Sequence, residues 1–520
     1  MSLKLNGKLI IHEVSALIFG TFLKYLSEYY SITKRAKDRF ENREWKEIRQ
    51  DSADRILLYD KVIAELENRL EPKLKKIANK KIFWVQLKEL YSSQILNYCN
   101  ANTAETFFNS LARKMFRTVG LDRELEFFYL TREEEKEPCG PLIFKTYTDL
   151  VSTKELIKQI ISDQNFNAPF EDLDRDAEYA ANEIDLILWP FIRDGKHYSI
   201  DIIRSCFYRN KVAYVVGRIF IESTCIPLIL PLYNDESGIY IDSVLLDKID
   251  ANNIFSFVYS YFLINIDLPN QLISFLRTIL FEKQISELYN SIGFPRHGKT
   301  EFYRDLHRFV HVSKEKFEYA KGEEGAVMIV FTLPNFNYVF KVIKDKPCFI
   351  QSSNITDKVI QKSQVKYMYH FVCLRDRVGR LVDTQEFENL RFKTKRFSDD
   401  LLEDFVKVAN DTIKISGDNV IINHIYIQRK VTPLPIFLYE ESNVRDLRGI
   451  VIDFGYFFKD LAASGLFPAD FFNIWNYGVT ENNRIVSYDY DDIIPLEMLI
   501  SESSRRQRMS LRKYHPVRNG

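Results

Sequence analysis

The chain has 520 residues, too many for one compact core, so two or three domains are expected. Lys plus Arg equals Asp plus Glu at 72 each, which offers no charge bias toward nucleic acid or an anionic membrane. Six scattered cysteines form no CxxC pair and read as reduced thiols of a cytoplasmic protein, not as a zinc site or a disulfide frame.

The first 300 residues read as mainly helical. The apolar run at 14–23 lacks the small-residue cleavage site of an export signal. In DRILLYDKVIAELENRL the residues Ile56, Tyr59, Ile63, Leu66 and Leu70 recur at threes and fours, which predicts one buried helix face ended or kinked at Pro72. Similar patterns follow at 81–97, 103–117 and 172–188. The charge run at 132–137 reads as a solvated loop. KVAYVVGRIFIES, CIPLILPLY and GIYIDSVLL are rich in apolar and β-branched residues, with breaks between them, and predict a small β insertion. The stretch at 254–268 is apolar but broken by Ser, Asn and Asp, and predicts a buried helix, not a membrane span. Residues 293–300, GFPRHGKT, fit the P-loop pattern GxxxxGK[ST]. That loop needs a strand before it, and the preceding sequence has helical spacing; a proline also removes one phosphate-facing amide. The match is set aside, and 294–315 reads as an interdomain connection.

After about residue 316 the pattern changes. AVMIVFTL and YVFKVIK are strand-like runs joined by Pro334, Asn335, Phe336 and Asn337, a predicted hairpin. Before it lies a glycine-containing turn, Ala320, Lys321, Gly322, Glu323, Glu324, Gly325 and Ala326. A glycine turn entering a hairpin with a lysine, Lys341, in the second strand is the kinase arrangement for covering and pairing nucleotide phosphates. Helical material is expected at 354–375, and the charged segment around Asp383 reads by itself as a polar helix face. VIINHIYIQRKV, at 420–431, predicts a strand at the sheet edge and a hinge. A helix follows, with Val451, Phe454, Phe458 and Leu461 on one face. It contains Asp453-Phe454-Gly455, which reads as a coincidental DFG because it precedes the other catalytic candidates. Asp470, then Asn476, a polar turn at 481–483, and Asp489 and Asp491 form the order that phosphoryl transfer uses: a carboxylate for the nucleophile, then oxygens for Mg²⁺. Along a strand, Asp489 and Asp491 share a face.

With these residues in order, the chain resembles the bacterial isocitrate dehydrogenase kinase/phosphatase family. AETFFNSLARKMF, CFYRNKVAYVVGR, MIVFTLPNFNYVFKVIKDK, DRVGRLVDTQEFEN and the NYGVT to YDYDDI stretch carry the resemblance over nearly the whole chain. It implies an α+β protein: a mainly helical regulatory domain at 1–315, then a bilobal protein-kinase-like domain at 316–520, with an N-lobe to about 431 and a shortened C-lobe from 432. It implies one site that phosphorylates a serine of isocitrate dehydrogenase and removes that phosphate, setting the branch between the citric acid cycle and the glyoxylate bypass. It assigns 320–326 and Lys341 to ATP, Asp383 and Asp470 to catalysis, Asn476 and Asp489 to the metal, and Asp491 to the phosphatase direction. ATP and Mg²⁺ (or Mn²⁺) are implied, with an allosteric adenine nucleotide. The protein substrate is isocitrate dehydrogenase, a homodimer is left open, and neither nucleic acid nor membrane is expected.

The chain departs from the family pattern twice. Six positions separate Asp470 from Asn476 where kinases use five, and Trp475 replaces the lysine before the asparagine. After Ile493 only a short stretch precedes the basic tail with six Lys or Arg from 505 on. The tail reads as solvated. Apolar faces that a longer lobe would cover are expected to be exposed. These departures keep a second reading in view, a nucleotide-sensing pseudoenzyme that binds the dehydrogenase without chemistry. A kinase for another protein substrate is the third.

Overall fold

The computed structural model describes residues 2–497 apart from 76, 131–139, 149–151, 195, 257–260, 323–324, 350–357, 360, 376–378, 442 and 492. Two units emerge, one spanning 1–256 and 260–311, the other 257–259 and 312–520.

The first unit opens with α1 (Ser2–Glu41), α2 (Trp45–Leu74), α3 (Lys81–Ile95) and α4 (Ala101–Phe116). Long apolar periodicity makes these helices, and their inward faces meet in one aromatic core of Phe22, Trp84, Tyr91, Phe107 and Phe108, all fully buried. Within α1, Leu9–Glu41 is long and apolar enough to cross a membrane, yet Val14, Ile18, Phe22, Leu26 and Tyr29 are spent in this core. In α2 the expected face is occupied at Tyr59, Ile63, Leu66 and Leu70. Ile56 is only half-buried, and Arg55 is buried in its place, donating to the Phe262 carbonyl at 2.7 Å.

A six-stranded antiparallel sheet follows: β1 (Phe144–Tyr147), β2 (Tyr198–Ile203), β3 (Phe207–Arg209), β4 (Val212–Ile221), β5 (Thr224–Asn234) and β6 (Ile239–Ile241). It packs with α5 (Thr153–Asp163) and α6 (Leu173–Arg193) around a second core. The β part is thus a full layer, larger than a small insertion. Then come α7 (Lys248–Ile254), α8 (Pro269–Ile279), α9 (Ile285–Ser291) and α10 (Pro295–Val312).

Several expectations are corrected in this unit. Where it is described, the 254–268 stretch is not the expected helix: α7 stops at Ile254, and Tyr261–Ile264 are non-helical, with Leu263 bridging Tyr208. A run that is apolar and buried at every position suits an extended segment as well as a helix. Residues 295–312 are a helix of this unit, with Phe302 and Leu306 buried, where a connection was expected. Gly298, the P-loop-like glycine, lies inside α10. A Cβ there would sit 2.5 Å from the Ser286 carbonyl, so the glycine serves close approach of α10 to α9. Cys99 is disulfide-bonded, while Cys206 and Cys225 are free, which corrects the all-reduced reading at position 99. The charge run at 132–137 lies outside the described residues.

Two histidines on α10, His297 buried and His307 half-buried, make this unit acid-sensitive. Burial lowers His297 to about 4, with Glu301 opposing and Arg304 reinforcing. Burial and Arg113 lower His307 to about 3. Both stay neutral when folded and take protons when unfolded below about 6.5, so stability is full above that pH and falls toward 4. His297 alone is expected to remove about 2 kcal/mol by pH 5. Urea unfolding at pH 7 and pH 5 should show the loss, and His297→Gln should shrink it.

The second unit contains an antiparallel sheet in the order β12-β14-β9-β8-β7: β7 (Glu318–Tyr319), β8 (Met328–Thr332), β9 (Tyr338–Ile343), β12 (Thr384–Lys393) and β14 (Asn419–Arg429). β13 (Ile413–Ser416) also pairs with β14. A small pair, β10 (Cys348–Phe349) with β11 (Lys358–Val359), lies apart. Helices α11 (Lys362–Arg375) and α12 (Asp399–Val408) interrupt the strands. The predicted β8–β9 hairpin is present, but two sheet expectations change. β14 is interior, flanked by β12 and β9, and not an edge. Asp383 immediately precedes a strand, so it is not on a helix. Thr384, Phe387, Leu390 and Phe392 are buried along β12, without strict alternation, and Asn389 takes φ +55° among them.

Past β15 (Thr432–Pro433) come α13 (Leu434–Glu440), α14 (Val444–Ala463), β16 (Leu466–Pro468), β17 (Tyr477–Val479), β18 (Ile485–Ser487) and β19 (Ile493–Pro495). The buried face of α14 is Ile450, Phe457 and Leu461, with Phe454 and Phe458 partly covered; Val451, expected inside, is exposed. Tyr439 (91% exposed) and Phe472 (81%) also stand in solvent. The basic tail lies outside the described residues.

Candidate active site

The glycine turn spans β7 and β8, a pairing invisible in the sequence because β7 has only two residues. Glu318 pairs with Thr332 and Tyr319 with Phe331, and the Ala320 amide donates to the Val330 carbonyl at 3.1 Å. Gly322 takes φ +142°, which a side chain would strain. Lys321 and Gly322 are exposed, and Gly325 and Ala326 are half-buried. Glu323 and Glu324 lie outside the described residues.

Lys341 sits in β9 opposite Val330 of β8 and Tyr426 of β14. Its flanking Phe340 and Val342 are buried on the other face, and Lys341 itself is 4% exposed. The ammonium donates to the Tyr488 carbonyl at 2.7 Å and lies 5.2 Å from the Tyr488 ring. Burial lowers its pKa, and the carboxylates of Asp489 and Asp491 oppose that shift. The same two carboxylates, after burial itself, raise Tyr369 on α11. Lys341, Asp489 and Asp491 therefore share one electrostatic environment. Kinases commonly supply this lysine with a helix glutamate; α11 contains no acidic residue, and the carboxylates facing Lys341 come from the 489–491 segment.

Two strand pairs deliver the remaining candidates. β17 pairs with β18, Tyr477 opposite Ser487, so Asn476 and Tyr488 adjoin; the Tyr488 amide donates to the Asn476 carbonyl at 3.3 Å. β16 pairs with β19, Pro468 opposite Ile493. The pairing ends there: Asp470 follows β16 in a turn, and Asp491 precedes β19 by two residues. The six-residue spacing is absorbed locally: the Asn473 amide donates to the Asp470 carbonyl, and a 3-10 turn at Ile474–Asn476 is capped by the Asn473 side chain. The Trp475 carbonyl accepts from the Tyr488 hydroxyl.

Asp383 joins from another direction. Leu381 bridges Ser487 in parallel; the Ser487 amide donates to the Arg380 carbonyl at 2.8 Å, and the Val382 amide to the Ser487 carbonyl at 3.0 Å. Asp383 and Asp489 each lie two residues beyond that bridge. Arg380, buried, forks onto Asp453 at 2.7 and 2.8 Å and also reaches Asp460 at 2.8 Å and the Ile485 carbonyl at 3.0 Å. Asp453, the acid of the DFG triplet, accepts from Arg380 and from the Ile485 amide at 2.6 Å. The triplet lies inside α14, and its Asp453 ties that helix to β18. Arg380, Tyr488 and Tyr490 were missed in the sequence, where nothing but proximity to acidic candidates distinguishes them.

The candidate donors are of the type that suits a divalent cation of the Mg²⁺ class: the buried Asn476 offers a neutral carboxamide oxygen and Asp489 an anionic carboxylate oxygen, without sulfur or imidazole. Among the described residues no three of His, Cys, Asp or Glu gather into a metal cage. A phosphate-bound Mg²⁺, which needs only one or two protein carboxylates, matches that partial shell.

A glycine turn entering a hairpin, with a buried lysine on its second strand in the field of Asp489 and Asp491, is the arrangement of a kinase-type domain. Two family models cover the chain: isocitrate dehydrogenase kinase/phosphatase (AceK), regulatory domain, at 15–314, and the kinase domain of the same family at 315–514. The isocitrate dehydrogenase kinase/phosphatase of Anaeromyxobacter sp. (strain Fw109-5) is 38% identical over 483 residues, 92% of this chain and 82% of that protein. Those of Anaeromyxobacter dehalogenans (strain 2CP-C) and Dechloromonas aromatica (strain RCB) are 35% and 33% identical, over 90% and 93% of this chain and 78% and 81% of theirs. The chain belongs to the isocitrate dehydrogenase kinase/phosphatase family.

Proposed function

We propose that this chain is a cytoplasmic, bifunctional serine kinase/phosphatase acting on isocitrate dehydrogenase, with residues 1–315 regulatory and 316–520 catalytic. The observation that carries the reading is the buried Lys341 held at the Tyr488 carbonyl within the field of Asp489 and Asp491. In phosphorylation the substrate serine oxygen attacks the γ-phosphorus of ATP, its bond to the bridging oxygen breaks, and the serine proton passes to Asp470. The 320–326 turn covers the phosphates and Lys341 pairs with them, so charge is balanced where water is excluded. Asn476 and Asp489 would hold Mg²⁺ or Mn²⁺, which supplies charge neutralisation on the transferring group. In the reverse direction a water oxygen attacks the phosphoserine phosphorus, the bond to the serine oxygen breaks, and that oxygen takes a proton. Asp383 and Asp491 are the carboxylates available to orient the water. An adenine nucleotide bound to the first unit would shift the balance of the two activities.

The test uses purified chain, ATP, Mg²⁺ and isocitrate dehydrogenase. Phosphoserine should appear as dehydrogenase activity falls, and phosphodehydrogenase offered as substrate should regain activity. Thermal stabilisation by ATP without either turnover would instead support the pseudoenzyme reading.

A further inference from the structure

Tyr490 stands between two of the candidate carboxylates and is tied to both sides of a third. It follows Asp489 and precedes Asp491, and it is fully buried. Its hydroxyl donates to the Val382 carbonyl and accepts from the Thr384 hydroxyl at 3.0 Å. Val382 and Thr384 are the two neighbours of Asp383. Gln428 of β14 donates its side-chain amide to Thr384 Oγ1 at 2.7 Å, which anchors the tie in the sheet. The Tyr490 ring packs on Tyr369 at 4.9 Å, and Tyr369 stacks on Tyr426 at 4.4 Å, so the ring is held independently of its hydroxyl.

Most groups assigned to phosphorylation do not depend on this tie, and Asp489, which adjoins Tyr490, has its carbonyl held separately by the Ser487 hydroxyl at 3.1 Å. Asp470 hangs on the β16–β19 pair, Asn476 on the β17–β18 pair, and Lys341 on β9. Asp383 is the candidate that reaches the acidic segment through the Tyr490 hydroxyl and the Leu381–Ser487 bridge. We propose that Tyr490 is a positioning residue for the hydrolytic direction, its hydroxyl fixing Asp383 against the Asp489–Asp491 segment so that these carboxylates can share one water. This rests on the kinase/phosphatase reading.

Tyr490→Phe deletes the hydroxyl and keeps the ring stack. A misplacement near 1 Å costs about a hundredfold in rate, so the ratio of dephosphorylation to phosphorylation kcat should fall at least about tenfold. Thr384→Val, which removes the other half of the tie, should lower the same ratio. The double variant should be little worse than either single one, because both act on one link. Asp383→Asn is the control. If it leaves hydrolysis intact, the assignment of Asp383, and with it the underlying reading of the site, fails. If Asp383→Asn abolishes hydrolysis while Tyr490→Phe and Thr384→Val leave the ratio unchanged, or lower both directions equally, the positioning role is overturned and the reading of the site stands.

Discussion

Asp470→Ala is expected to lower the kcat for dehydrogenase phosphorylation by about 10² to 10⁴, the range for losing a positioned proton acceptor. The residue sits in a turn after β16, and its backbone carbonyl, which the substitution keeps, accepts the Asn473 amide. Its side chain is half-buried, so little packing is lost and the melting temperature should stay within a few degrees. The KM for ATP should change far less than kcat, because the nucleotide is assigned to the turn at 320–326 and Lys341. Steady-state phosphoserine formation at saturating ATP gives the measurement. Activity within tenfold of the parent would remove Asp470 from the proton-accepting role and return attention to the turn at 473–476.

Arg380→Ala is expected to damage stability and both activities together. The guanidinium is 4% exposed in its side chain and satisfies Asp453 twice, Asp460 once and the Ile485 carbonyl once. Removing it leaves two partly buried carboxylates facing each other without their cation. Breaking such a buried pair costs about 3 to 5 kcal/mol. Asp453 and Asp460 keep 24% and 33% side-chain exposure, so the lower end applies. For a unit near 200 residues, about 3 kcal/mol lowers the melting temperature by roughly 6 to 12 °C. Lys in its place keeps the charge but not the fork, and should recover only part of the loss. Differential scanning fluorimetry on the three proteins separates the cases. Equal melting temperatures would mean that the α14-to-β18 tie carries no stability.

The helical first unit, the β8–β9 hairpin and Lys341's strand were legible because apolar periodicity is local. The P-loop-like and DFG-like strings were separable from function by the same local argument, since each sits in helical sequence. What escaped was set by distant pairing. β14 reads as a strand, but its central place depends on β9 and β12 arriving from opposite sides. Asp383 looked helical because its charged neighbours follow no single period, and only β14 makes 384–393 a strand. Tyr261–Ile264 is apolar at every position, so no period could distinguish helix from extended chain. In the site, the residue types were readable from their order. The elements that carry them were not, because their pairing depends on two antiparallel registers and one parallel bridge.

The claim on which the account turns is that the phosphoryl-transfer centre lies where Asn476, Asp489 and Lys341 meet. Crystals grown with Mn²⁺ and a non-hydrolysable ATP analogue test it directly through the metal's anomalous signal. The account predicts a peak held by the Asn476 carboxamide and the Asp489 carboxylate, with Lys341 on the phosphates. A peak elsewhere, or nucleotide bound away from Lys341, would contradict it.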